Sequence, residues 1–209
     1  MADQKRQYRM KERAEAEQRT RQRITESTVE LHGTVGPAHT SVSAIARHAG
    51  VRRSTVYRHF PDEVSLFSAC TTAWTAANPF PHVERWAAID DPDRRVVAAL
   101  GELYRHYRRT EAMMTNILRD EGTMPIVQRM LGGYRGYLDS ARKALMKGRT
   151  ARGGSRQRVL AALGHALAFA TWRSLVREQG LGDAAAADLM SRLVAGAGAG
   201  PRARRENGS

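Results

Sequence analysis

The sequence predicts an all-α protein of about nine helices, and three observations predict it. Long stretches rich in Ala, Leu, Arg and Glu favour helix, β-branched alternation of the kind that marks strands is sparse, and apolar residues recur at helical spacing between Gly- and Pro-marked breaks.

Residues 1–18 are polar and highly charged with no apolar stripe, and read as a flexible basic arm or a solvated extension of the first helix. Ile24, Ser27, Thr28 and Leu31 then mark one helical face, which ends at the Gly- and Pro-containing segment 33–37. Ser41 is placed to cap a short helix with Val42, Ile45 and Ala46 inward and Ala49-Gly50 at its end. A third helix is expected from about Arg52 to His59. Pro61-Asp62 opens a fourth, carrying Leu66, Phe67, Cys70 and Trp74 at helical spacing. Asn78-Pro79-Phe80-Pro81 breaks the chain, and Asp91-Pro92 starts a helix with Val96, Leu100, Leu103, Tyr104 and Tyr107, expected to end near Arg109. Further helical segments are expected at about 111–120, 125–147, 155–179 and 183–195, separated by glycines. The composition of 196–209, glycine-rich and then basic, predicts a disordered tail. The resulting organisation is an arm at 1–18, a small domain at 19–66, a larger helical domain at 67–195 and the tail.

With 209 residues and 42% hydrophobic content the chain can bury a substantial core. Its one cysteine, Cys70, can form no internal disulfide, and no Cys/His set has metal-site spacing, so neither a metal nor another cofactor is expected. No signal peptide or run of about 18 apolar residues is present, which predicts a cytoplasmic protein without a membrane partner. Paired carboxylates in an apolar setting, a nucleophile with its base and a phosphate-binding glycine loop are missing, so a helical enzyme is the weakest class and no catalytic residue is nominated. The net charge of +13 suggests a polyanionic partner, because cations on phosphates release condensed counterions. Twelve Lys and Arg against six acids fall within residues 1–60, so nearly half of the excess lies in under a third of the chain.

The informative stretch runs from Thr40 to Phe60. Two short helices meet there, and a seven-residue helix persists only when packed, here through Ile45, Ala46, Val51, Val56 and Phe60. Gly50 supplies a positive φ and Ala49 a small side chain at the crossing, as a helix-turn-helix requires. If Val56 and Phe60 point inward, Ser54, Thr55, Tyr57 and Arg58 turn outward and Arg53 projects from the helix start. Guanidinium, hydroxyl, phenol and imidazole groups on two turns suit base edges and phosphates in a major groove. The string Ile45-Ala46, Ala49-Gly50-Val51, Thr55-Val56-Tyr57, His59-Phe60 resembles the N-terminal motif of the TetR family of regulators, over residues 24 to about 67. Three positions depart from that pattern: Arg52 stands for the usual capping serine, Glu63 for a common phosphate-contacting lysine, and His32 for an aromatic of the first helix. The resemblance implies a double-stranded DNA operator as partner, with Ser41, Arg52, Arg53, Ser54, Thr55, Tyr57, Arg58 and His59 as DNA-contact candidates. Arg53 suits bidentate contact with guanine, and Arg6, Arg9 and Arg13 could enter a minor groove.

The resemblance also implies a homodimeric repressor released by a small-molecule effector of unknown identity. Trp74, Tyr104, Tyr107, Met114, Asn116, Leu118, Tyr134, Tyr137, Phe169 and Trp172 are the effector-binding candidates, with Arg119 and His165 as further polar groups, although aromatics at helical spacing also build plain core and His165 reads as a hydrogen-bonded core histidine. Leu163, Leu167, Ala170, Leu175, Leu189 and Leu193 form apolar stripes on two late helices that resemble the family's dimer-forming pair. The fourth helix, shared by both expected domains, is the hinge candidate. A non-specific architectural DNA binder is the alternative that the charge alone allows.

Overall fold

The computed structural model describes residues 2–198, and every regular element among them is helical. In chain order these are α1 (Ala2–Thr34), a 3₁₀ turn (Pro37–His39), α2 (Val42–His48), α3 (Arg53–His59), α4 (Glu63–Ala77), α5 (Val83–Ala87), α6 (Pro92–Asp120), α7 (Pro125–Met130), α8 (Gly132–Met146), α9 (Gly153–Leu167), α10 (Phe169–Arg173) with a π-wound continuation (Ser174–Glu178), and α11 (Asp183–Gly198). The chain forms two compact units, one from Met1–Pro79 with Glu111–Gly132, the other from Phe80–Thr110 with Gly133 onward. α6 is therefore shared between the units, whereas α4 lies wholly in the first.

Several expectations need correction. Of the two readings of residues 1–18, the flexible arm gives way to the solvated extension of the first helix: residues 2–18 are part of the 33-residue α1. α6 runs through Arg109 without a break, in keeping with the absence of Gly or Pro between residues 102 and 121. The glycine run continues α11 through Gly198, three residues into the segment assigned to the tail; residues 199–209 lie outside the described residues.

In the first unit Ile24, Ile45, Ala46, Ala49, Val56, Phe60 and Leu66 form one buried cluster, with Leu31, Val42, Val51 and Ala69 packed at its edge. Each large member contributes about 1.5–3 kcal/mol through burial, which is what holds two seven-residue helices together. In the second unit α9 packs along α11, burying Val159, Leu163, Ala166 and Leu167 on one helix and Ala186, Met190 and Val194 on the other. Arg95, also buried, donates to the carbonyls of Ile89, Asp90, Ala144 and Lys147 and so ties the start of α6 to the end of α8.

The break between α9 and α10 falls at Ala168, whose backbone is extended (φ −71°, ψ 136°). The carbonyls left without helical partners are taken by two phenols of α6. Tyr104 donates to Ala166 O at 2.9 Å and Tyr107 to Leu167 O at 2.6 Å.

Candidate nucleic-acid interface

The α2–α3 turn is built by local chemistry. Ser41 caps α2, its Oγ accepting from Ala44 N at 3.1 Å. At the other end Gly50 adopts φ 63°, Gly50 N donates to Arg47 O at 3.2 Å and Val51 N to Ala46 O at 2.9 Å, the paired bonds of a Schellman ending. No other atom crowds the position where a Gly50 Cβ would stand, so the backbone angle alone selects glycine.

α3 starts at Arg52, which has extended backbone and makes no side-chain cap; the serine it replaces is not compensated there. α4 is capped normally, with Asp62 Oδ1 accepting from Ser65 N at 2.7 Å, and Glu63 is exposed in its first turn. Val56 and Phe60 are buried beneath α3, and Arg52, Arg53, Ser54, Tyr57 and Arg58 are exposed on its outer side. Arg53 Nη2 approaches the Tyr57 hydroxyl at 3.4 Å, so the two form one polar surface across a helical turn. Thr55 is half-buried.

His59 departs from its expected position. It is 8% exposed, its Nε2 is enclosed without a hydrogen-bond partner, and burial together with the nearby Arg58 and Arg21 cations lowers its pKa below 6.5. The ring is thus a neutral interior group on the side of Val56, three residues earlier, and does not stand beside Tyr57 on the outer surface.

Two further residues matter to this surface that the sequence reading did not assign. Arg21 of α1 donates to His59 O at 2.5 Å and lies over the Phe60 ring at 4.1 Å. A cation on the last carbonyls of α3 satisfies its C-terminus and fixes the helix against α1. No local spacing signals that contact. The second is Gly36 (φ 95°), after the end of α1, where a Cβ would fall 2.1 Å from Arg119 Nη2 and 2.7 Å from Asp120 Oδ2.

That crowding belongs to a polar latch within the first unit. Asn116 Nδ2 donates to the carbonyls of His32 (3.0 Å) and Gly33 (2.9 Å), and Arg119 Nη2 to Val35 O (3.0 Å). Asp120 Oδ2 accepts from Ala38 N at 3.0 Å, and the Arg119 guanidinium beside it lowers its pKa. Asn116 and Arg119, expected as polar groups of an effector site, therefore close the end of α1 and hold the connection to α2. His32 packs its ring on Phe67 at 4.8 Å and fills the place of the aromatic it replaces; burial lowers its pKa to about 4. Cys70, 3.6 Å from His32 Nδ1, is buried, which raises its thiol to about 12.

The other effector candidates divide between the units. Trp74, Met114 and Leu118 join Asn116 in the first. Tyr104, Tyr107, Tyr134, Tyr137, Phe169 and Trp172 are in the second, where Phe80 stacks on Tyr137 at 4.5 Å, Tyr107 meets Phe169 at 5.3 Å and Phe169 meets Trp172 at 5.4 Å. Tyr104, Tyr107 and Trp172 are fully buried, and the Tyr107 hydroxyl also pairs with that of Tyr134 at 2.9 Å. Tyr137 Oη is enclosed without a hydrogen-bond partner. Of the dimer candidates, Leu163 and Leu167 are buried within the chain itself. Ala170, Leu189 and Leu193 are exposed, and Leu175 is half-buried. His165 is exposed, not a core histidine; its Nδ1 lies 3.3 Å from Thr171 Oγ1. Among the described residues no group of His, Cys, Asp and Glu is arranged to hold a metal ion, and no single helix is long and apolar enough to cross a membrane.

A helix-turn-helix within the first unit and an all-helical second unit define the fold class. Residues 24–70 match the family model of bacterial regulatory proteins, tetR family, and the chain has the TetR-type regulator fold. Among solved structures it resembles a TetR-family transcriptional regulator assigned in Mesorhizobium loti (TM-score 0.61, 15% identity, 87% of this chain and 96% of the other). It is also similar to a protein assigned as a fatty acid metabolism regulator in Clostridium perfringens (0.59, 15%, 83% and 97%). A third is a tetR-family transcriptional regulator of Streptomyces coelicolor (0.56, 16%, 86% and 79%). At these identities the likeness is one of fold. No curated protein sequence matches the chain.

Proposed function

We propose that the protein is a homodimeric, cytoplasmic transcriptional repressor that reads a palindromic DNA operator and is released by a small-molecule effector. The observation that carries this reading is the outer face of α3, where Arg52, Arg53, Ser54, Tyr57 and Arg58 stand exposed on a helix fixed from beneath by Val56 and Phe60, within the segment that matches the family. Arg53 reads guanine through its O6/N7 pair, Tyr57 and Arg58 contact phosphates, and Ser41 at the start of α2 and Thr55 support the backbone contacts. His59 holds α3 from inside. A two-fold dimer through the exposed Leu189 and Leu193 of α11, with Ala170 and Leu175, presents two such heads to half-sites about 34–36 Å apart. The effector acts on the aromatic interior of the second unit. Its influence travels through α6, whose first part belongs to that unit and whose last turns carry the latch on the α1–α2 connection. A differential affinity of about 1–3 kcal/mol between two conformations changes operator occupancy 5- to 150-fold.

Selection of bound duplexes from a random pool tests the reading. A recovered palindrome with half-sites one helical turn apart supports it. The net charge of +13 favours one rival, an architectural binder, for which the pool stays unenriched and the ratio of cognate to random affinity stays near one at every salt concentration.

A further inference from the structure

We propose that the N-terminal extension of α1 is a second, preformed DNA-contact element that lies on phosphates flanking each half-site. The inference rests on the operator-binding reading above and extends it to residues outside the family match, which begins at Ile24. α1 meets the end of α3 at Arg21, so residues 2–20 continue beyond that meeting point as helix. At 1.5 Å per residue, Lys5 lies about 24 Å along the axis from Arg21, the rise of roughly seven base pairs.

The charge on this extension is sorted by face. Seen down the axis, Lys5, Arg6, Arg9 and Arg13, and after them Ala16, Thr20 and Arg23, occupy an arc of about 100° with no acid in it; Glu12 and Glu17 flank the arc, and Asp3 and Glu15 lie further round. Lys5, Arg6, Arg9 and Arg13 are all exposed, and none pairs with an acid of another described residue. Within the arc Lys5–Arg9 and Arg9–Arg13 are like charges at i, i+4 and repel, with Glu12 and Glu17 offsetting them only from its flanks. A polyanion along that face turns the repulsion into attraction and releases counterions. The apolar side chains of the extension indicate which polyanion. Tyr8 and Met10 are exposed but stand on opposite flanks of the basic arc, so the helix has no apolar face to sink into a lipid surface. Duplex phosphates need no such face. A helix already formed also gives up less conformational freedom on contact than a coil ordering in a minor groove.

The test uses the full chain and the duplex recovered by selection, either trimmed to its half-sites or carrying about ten further base pairs on each side, titrated over a range of salt. The variant is Lys5→Gln, Arg6→Gln, Arg9→Gln and Arg13→Gln together, which keeps helix-favouring residues at exposed positions; circular dichroism reports whether α1 is retained. The unsubstituted protein is expected to bind the longer duplex about tenfold more tightly than the trimmed one, and the variant to lose that difference and to lower the salt slope by about 3 to 4 per protomer. Equal flank dependence and equal slope for both proteins overturn the proposal while Arg53-dependent binding leaves the operator reading standing. Anionic vesicles capturing the unsubstituted protein but not the variant, with DNA binding the same for both, also overturn it. No duplex binding by the unsubstituted protein overturns both readings.

Discussion

Tyr57 and Tyr107 are the same residue type in two regions whose physical demands differ. Tyr57 stands exposed on a two-turn helix, its hydroxyl facing Arg53, in a place where no packing requirement calls for an aromatic. Tyr107 is fully buried, its ring against Phe169 and Trp172 and its hydroxyl committed to Leu167 O and Tyr134 Oη. The comparison teaches that residue type is informative about a partner only where the fold would have accepted something else. On α3 a solvated face would accept Glu or Lys, so an exposed set of Arg, Ser and Tyr supports the proposed DNA contact. In the second unit packing itself demands large side chains, so residue type alone does not separate core from an effector site.

The sharpest way to break this contrast is Trp172→Ala. The indole is fully buried and its Nε1 donates to Asp183 Oδ1 at 3.0 Å, so truncation is expected to cost about 3–5 kcal/mol in urea unfolding. A loss below about 1 kcal/mol, well short of the usual cost of emptying a core site, would mean that the indole bounds a space kept for a ligand.

The next largest effect separates the head from bulk acid denaturation. His32 has a folded pKa of about 4 against about 6.5 unfolded, so its contribution is complete above pH 6.5. As pH falls from 6.5 toward 4 the unfolded chain binds a proton that the folded chain refuses. About 3 kcal/mol is lost across that window and no more below it. His32→Gln is expected to flatten that part of the stability profile; a profile parallel to that of the unsubstituted protein would show that His32 does not carry it.

Tyr107→Phe is expected to cost about 1–3 kcal/mol, because it leaves Leu167 O without its donor at the α9–α10 break. Operator affinity should stay unchanged when measured well below the unfolding midpoint.

The parts of the fold that were legible were written locally. Ser41 as a cap and Gly50 as the helix end placed α2 and α3 to within a residue. The parts that were not legible are set by distant groups. Nothing near Ala168 forecasts a break, since it is held by phenols more than 60 residues earlier in the chain. Asn116 and Arg119 read as pocket polars because their targets, the carbonyls at the end of α1, are over 80 residues away. His59 was different: its i+3 relation to Val56 already placed it on the buried side. Leu163 and Leu167 show the limit of an apolar stripe, which states that a face is covered and not whether by its own chain or a second copy.

The smallest effects are the most discriminating, because they separate two neighbours on α3. Arg53→Ala removes the guanidinium fork proposed to read guanine, and should cost about 1–3 kcal/mol on the cognate duplex while leaving random duplex nearly unaffected. Tyr57→Phe removes a single hydroxyl from the proposed phosphate contact and should cost about 0.5–1.5 kcal/mol on cognate and random duplex alike. Neither side chain is part of the core, so unfolding midpoints should not move. If Arg53→Ala weakens both duplexes equally, the guanidinium is a phosphate contact and base reading falls to another part of the head. If Tyr57→Phe shifts the unfolding midpoint as Tyr107→Phe does, the phenol serves the fold in both regions, and the contrast between them fails.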